Sequence, residues 1–204
     1  MSDVGAATAR NYRYQYAYGV ILMAEALRGG NDYIRIWCEL HEDFLCERQD
    51  GVFDAYQIKT SDPGLGDWKL TDRELTASIS RFVKLIAQFG DRLGKLYFVS
   101  NKDFYRVGQW SLSEKRRGRC PEIFLEHLRQ CESYAQLKPP YRSAFDDLHA
   151  TCGCDADELF SALSRLHLRK GPSRDDFHEN LSIGHIAKLD DCYYLYSAQL
   201  DSLR

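Results

Sequence analysis

Between residues 10 and 99 the hydrophobic period changes several times, and the order of those changes constrains the fold more than any other feature of the chain. Residues 10–27 hold no proline, have Gly19 as their one breaker, and place Tyr14, Tyr18, Ile21, Leu22 and Glu25 on one face at helical spacing. Gly29, Gly30 and Asn31 supply a stop. From residue 33 the pattern alternates instead, Ile34 and Ile36 against Tyr33, Arg35 and Trp37, which predicts a strand. Residues 43–47 predict a second strand, and Gln49, Asp50 and Gly51 a turn into a third over 52–59. A loop with Pro63, Gly64, Gly66 and Trp68 follows. Thr71 and Glu74 have the spacing of a capping box, opening a helix in which Leu75, Ile79, Phe82, Val83, Ile86 and Phe89 keep helical period. Gly90 ends it ahead of an apolar strand at 96–99. The order is αβββαβ.

Past residue 100 the pattern predicts helices over 121–134, 141–151 and 155–168, with Pro139 and Pro140 separating the first two. Residues 192–200 suit a strand or a last helix. The expectation is an α/β fold, with the αβββαβ core in residues 1–100 and a mostly helical extension over 101–204 completing the same domain.

Composition excludes several function classes. A formal net charge of −3 argues against coating nucleic acid through bulk charge, while leaving room for a local basic groove. No apolar run reaches membrane-spanning length and the first ten residues lack a signal-peptide layout, so a cytoplasmic location without membrane contact is expected. The seven cysteines are odd in number and form no Cys-x-x-Cys pair, which reads as reduced thiols, with Cys152 and Cys154 flanking Gly153 in a turn. There is no Gly-x-Gly-x-x-Gly or Walker loop, no Gly-x-Ser-x-Gly elbow and no His-Glu-x-x-His helix.

The chemistry-bearing residues are Asp43 on the second strand and Gln57 and Lys59 on the third. Two residues apart on a strand, Gln57 and Lys59 leave the same face while Ile58 points into the core, and hairpin pairing brings Asp43 beside them. This arrangement resembles the PD-(D/E)xK nucleases, whose core is restriction-endonuclease-like. Such a site implies Mg²⁺, with Mn²⁺ as a substitute, held by the Asp43 carboxylate and the Gln57 amide oxygen, and Lys59 positioning the attacking water. Gln57 brings no charge, so the ion is held weakly unless Glu25, Glu39 or Glu42 also contributes, and Gln15, Glu25 and Glu39 are the expected supporting residues. Glu25 on the apolar helix face suits a metal or a salt bridge equally. Glu42 reads as a solvent-exposed turn residue. His41 lies near the site.

Three segments sharpen the resemblance: Asn-Tyr-Arg-Tyr-Gln at 11–15, Glu-Leu-His-Glu-Asp-Phe at 39–44 and Tyr-Gln-Ile-Lys-Thr at 56–60. They are similar to the N-terminal double-stranded-DNA endonuclease domain that anti-phage CBASS effectors fuse to a SAVED sensor, over about residues 5–100. The resemblance implies duplex DNA as substrate. It also implies activation by a sensor domain or an oligomeric partner outside these residues, cyclic-oligonucleotide sensing among the possibilities. For DNA contact, Lys69 and Arg73 flank the start of the second helix, and Lys115, Arg116, Arg117 and Arg119 form a basic run. Trp68 is expected to pack across the sheet edge rather than stack on bases. The competing reading is a non-catalytic scaffold or DNA-binding module of the same fold, with Asp43 and Lys59 as a structural ion pair.

Overall fold

The computed structural model describes residues 4–38, 42–62, 64–107 and 117–173. The elements are α1 (Val4–Leu27), β1 (Tyr33–Cys38), β2 (Phe44–Arg48), β3 (Phe53–Lys59), α2 (Arg73–Phe89), β4 (Leu93–Ser100), α3 (Pro121–Leu128), α4 (Tyr141–Cys152), α5 (Ala156–Arg165) and β5 (Leu166–Lys170). One sheet runs in the order β1-β2-β3-β4-β5. Its first three strands are an antiparallel meander, and β3, β4 and β5 run parallel. Parallel neighbours cannot be joined by a tight turn, and α2 and the α3–α5 segment supply the two crossovers. The α/β class and the αβββαβ core are those expected from the sequence.

The central strands are buried on both faces. Leu45, Phe53, Ala55, Leu96 and Phe98 pack with α2, α4 and α5, while Phe44, Cys46, Tyr56, Ile58, Tyr97 and Val99 pack with α1. Strand alternation divides these residues between two cores. Helix α1 closes tightly on the sheet at Gly19, where a Cβ atom would meet the Phe44 ring at 2.7 Å, so the expected helix breaker is a point of close approach. Its Tyr14, Tyr18, Ile21 and Leu22 are buried as their spacing predicts.

Several local expectations are corrected. A register shift between Tyr33 and Arg35 breaks the alternation in edge strand β1 and turns Ile34 out to solvent. The capping box does not form: Asp72 is the N-cap of α2, and its carboxylate accepts from Lys69 N at 2.8 Å rather than from the helix. The helix expected over 121–134 stops at Leu128. The one expected over 155–168 stops at Arg165, and Leu166 to Lys170 form β5, because backbone pairing with β4 outweighs helical period there. The described part of the C-terminal half therefore completes the sheet as well as adding helices. Gly153, at φ +61°, ends α4 and makes the turn between Cys152 and Cys154. Residues 192–200 lie outside the described residues.

Candidate active site

The last residues of β3 and the entry to β2 lie at the same end of the sheet, because these strands are antiparallel. The first half of α1 and the first turns of α2 reach that end from opposite sides. Together they enclose a cavity of about 640 Å³ lined by residues from all four elements, among them Gln15, Glu42, Asp43, Gln57, Lys59, Glu74 and Arg81.

Asp43 sits one residue before β2, where the ladder with β3 has just ended at the Phe44–Tyr56 pair. Its Oδ2 takes the place of the next ladder acceptor, receiving Ile58 N at 2.6 Å and also Gln57 Nε2. The carboxylate is thus fixed by β3. Burial raises the Asp43 pKa, and the bond from Ile58, the Lys59 charge, the bond from Gln57 and Arg81 act against that rise. Lys59 acts on Asp43 through its charge, while the hydrogen bonds come from Gln57 and Ile58. Beyond Lys59 the chain is clamped: Asn101 Oδ1 accepts Ser61 N at 2.9 Å, and Asn101 Nδ2 donates to Ser61 O at 3.0 Å.

Two residues take places at the site that the sequence did not favour. Glu42 is no solvent-exposed turn residue: it is 6% exposed, and burial raises its pKa to about 7, with Arg81 opposing and Asp43 reinforcing the shift. Its Oε1 is buried without a hydrogen-bond partner. Arg81, from α2, donates to Gln57 Oε1 and brings Nε to 3.5 Å from Glu42 Oε2. A signal for Arg81 was present. Glu74, Ser78 and Arg81 recur at i, i+4 and i+7 beside the apolar stripe of α2, and a polar stripe next to a core face needs a polar destination. Nothing comparable marked Glu42, since an acidic residue between strands is ordinarily solvated.

Of the remaining expected residues, Gln15 lines the cavity. Glu25 does not line it; it stands ten residues further along α1 than Gln15, about 15 Å at helical rise, so the fold does not bring it to the site as expected. Glu39, Lys115 and Arg116, like His41, lie outside the described residues. Gln57 has its nitrogen toward Asp43 and its oxygen toward Arg81, so in this arrangement its oxygen faces a guanidinium, not the side of Asp43 expected for a metal ligand. Lys69 borders a second cavity that shares Asn11, Thr60 and Glu74 with the first, and Arg73 is exposed at the first position of α2. Arg119 is exposed, and its carbonyl accepts Leu70 N at 3.0 Å, which brings residues 117–119 beside this region, although Arg117 is partly buried. Trp68 packs on Phe98 and donates to Ser100 Oγ at 2.7 Å, a structural role.

The mixed five-stranded sheet with its helices is consistent with a restriction-endonuclease-like core, with Asp43 at the entry to β2 and Gln-x-Lys at the end of β3. The chain belongs to the Cap4 dsDNA endonuclease domain family, whose model matches residues 3–133. It is accordingly a DNA nuclease domain. No curated protein and no solved structure matches the chain.

Among the described residues no three His, Cys, Asp or Glu side chains form a ready-made metal cluster. The site nevertheless suits a hard divalent cation, on the ground of one observation. Two adjacent carboxylates line the cavity, the partly buried Asp43 and the buried Glu42, and Glu42 keeps a buried oxygen that accepts nothing, an acceptor that costs free energy unless a cation or water satisfies it.

Proposed function

We propose that the chain is a metal-dependent endonuclease domain that hydrolyses phosphodiester bonds of double-stranded DNA as an anti-phage effector. The observation that carries this reading is the convergence of Asp43, Gln57 and Lys59 with Glu42 in one cavity at the end of the sheet. Asp43 and Glu42 would hold Mg²⁺, or Mn²⁺ in its place, with Gln57 as a further ligand if its amide turns over. Bound there, such an ion would supply charge neutralisation for the phosphate and activation of water.

The protein's own groups supply the rest. Lys59 stands two residues beyond Gln57 on the same face of β3, the chain after it held at Ser61 by Asn101, and its ammonium stabilises the charge that builds on the phosphate and orients the attacking water. Asp43 keeps its position through Ile58 N even when Gln57 moves. Lys69, Arg73, Arg117 and Arg119 guide the duplex backbone towards the cavity, with Lys115 and Arg116 from the same run. Cleavage of both strands needs two such sites, so the active form is an oligomer, assembled by a sensor domain or partner outside this segment; cytoplasmic residence follows from that role.

Plasmid cleavage in Mg²⁺, by this chain and by any longer native protein that contains it, tests the proposal. Nicking or linearisation that disappears with EDTA and with Lys59→Ala supports it. Intact plasmid in both preparations, with a melting temperature that ignores Mn²⁺, sinks it in favour of a scaffold.

A further inference from the structure

We propose that Arg81 is the resident cation of this site, and that a divalent ion binds by taking its place against Glu42 and Gln57. The inference rests on the metal-dependent reading above and adds how the site is held before the ion arrives. Arg81 donates to Gln57 Oε1 and places Nε 3.5 Å from Glu42 Oε2. These acceptors, a neutral amide oxygen and a carboxylate, are the kind a hard cation seeks. A guanidinium and a divalent ion cannot share them at close range, because their charges repel in a partly buried site. While Arg81 holds Oε1, the Gln57 amide must keep its nitrogen towards Asp43. Departure of Arg81 frees the amide to turn.

Two features show that Arg81 is only loosely held. Its pairing with Glu42 lacks the bidentate fork of a permanent buried ion pair; Arg81 Nε and Glu42 Oε1 are both buried without a hydrogen-bond partner. The Arg81 side chain is also 43% exposed at the cavity wall, and its remaining bond is a weak one to Ser78 Oγ at 3.3 Å. Glu42, by contrast, is only 2% exposed along its side chain and cannot follow Arg81 into solvent. Rotation of Arg81 about its own side chain, with no backbone movement, would therefore leave the two carboxylates in place for the ion and the Gln57 oxygen free to meet it. The guanidinium would then lie at the cavity mouth, where an incoming phosphate is anionic.

The test is Mn²⁺ binding to the intact chain, followed by loss of the free-ion electron paramagnetic resonance signal. Arg81→Gln should bind Mn²⁺ more tightly by about tenfold, the scale on which partners of metal ligands tune affinity. It should also melt lower than the parent in EDTA and gain more on addition of Mn²⁺. Arg81→Lys, which keeps a competing charge, should stay near the parent affinity, a distinction that a purely structural role would not produce. Affinity in Arg81→Gln equal to or weaker than the parent overturns the exchange. In the parent itself the Arg81 Nε–H resonance should move on titration with Mg²⁺, and an unmoved resonance at saturation overturns it even if Arg81→Gln fails to fold. Asp43→Asn separates the two levels: if the parent takes up no Mn²⁺, or Asp43→Asn binds as well as the parent, the metal-dependent reading fails and the exchange fails with it.

Discussion

Two buried carboxylates, Asp54 near the start of β3 and Glu42 in the bend before β2, are treated in opposite ways. Asp54, 3% exposed, accepts Tyr33 OH at 2.9 Å on one oxygen and Lys95 N at 2.7 Å on the other, with Arg48 at 3.9 Å. Backbone can come that close because residue 94 is glycine; a Cβ there would lie 2.8 Å from Asp54 Oδ1. Tyr33 OH is shared with Tyr56 OH at 2.7 Å, and Tyr56 stacks on Tyr97, which carries Arg169 over its ring. Glu42 has one distant guanidinium and an oxygen with no partner. Asp54 is fixed by its own network, whereas Glu42 keeps an acceptor for a further partner beside the cavity, and that difference separates the structural end from the reactive end.

The largest expected effect belongs to the reactive end. Lys59→Ala should lower plasmid cleavage at least about a hundredfold while shifting stability by no more than about 1 kcal/mol, measured by timed gels and melting curves on the same preparation. Asp43→Ala should also stop cleavage but, since Asp43 anchors Ile58 N, should lose stability as well; raising Mn²⁺ should restore part of its rate and none of that of Lys59→Ala. Parent-rate cleavage by Lys59→Ala would erase the distinction between the two ends.

Asp54→Asn should do the reverse. Removing the charged acceptor from a satisfied buried network costs about 3 kcal/mol, read from urea melts, with the cleavage rate per folded molecule unchanged. A rate loss beyond the loss of folded protein would show that the tyrosine network reaches the site.

Glu42→Gln should be stabilising in EDTA near neutral pH. The folded pKa of Glu42, about 7, lies above its ordinary value of 4.5, so the folded state binds more protons between those values. Its contribution is fully present below about pH 4.5, is lost as pH rises to about 7, and is constant beyond. Glu42→Gln should flatten that decline, a change on the order of 1 to 3 kcal/mol in melts across the range. Parallel parent and variant curves would mean that Glu42 is solvated after all.

The smallest effect is Tyr33→Phe, which deletes the hydroxyl between Asp54 and Tyr56. About 1 kcal/mol of stability should go, visible in the melting temperature, with neither Mn²⁺ affinity nor cleavage altered.

Much of this architecture was legible in the residues alone. The change of period at 27–33, the turn at 49–51 and the return to helical period after 71 set the order of elements, because helices and strands bury different residues of a repeating pattern. Strand alternation placed Gln57 and Lys59 on one face and Ile58 on the other, and the structure has Ile58 in the α1-side core while Gln57 meets α2. Period could not tell that residues 166–170 leave helix α5 for a strand, since five residues of mixed character suit either until β4 offers an unpaired edge.

The sequence by itself determined the αβββαβ order of the core and the pairing of Gln57 with Lys59, because both follow from the local geometry of the chain. Only the tertiary structure decided the state of Glu42 and the presence of Arg81. The burial of a side chain in a loop depends on what other elements bring over it, and here α2, more than thirty residues away in sequence, brings a guanidinium to within 3.5 Å of a carboxylate. The same closure removed Glu25 from the site. Ten residues of helix carry it away along an axis whose direction relative to the sheet is fixed by packing, at Gly19 against Phe44, and not by any pattern that can be read in α1 alone.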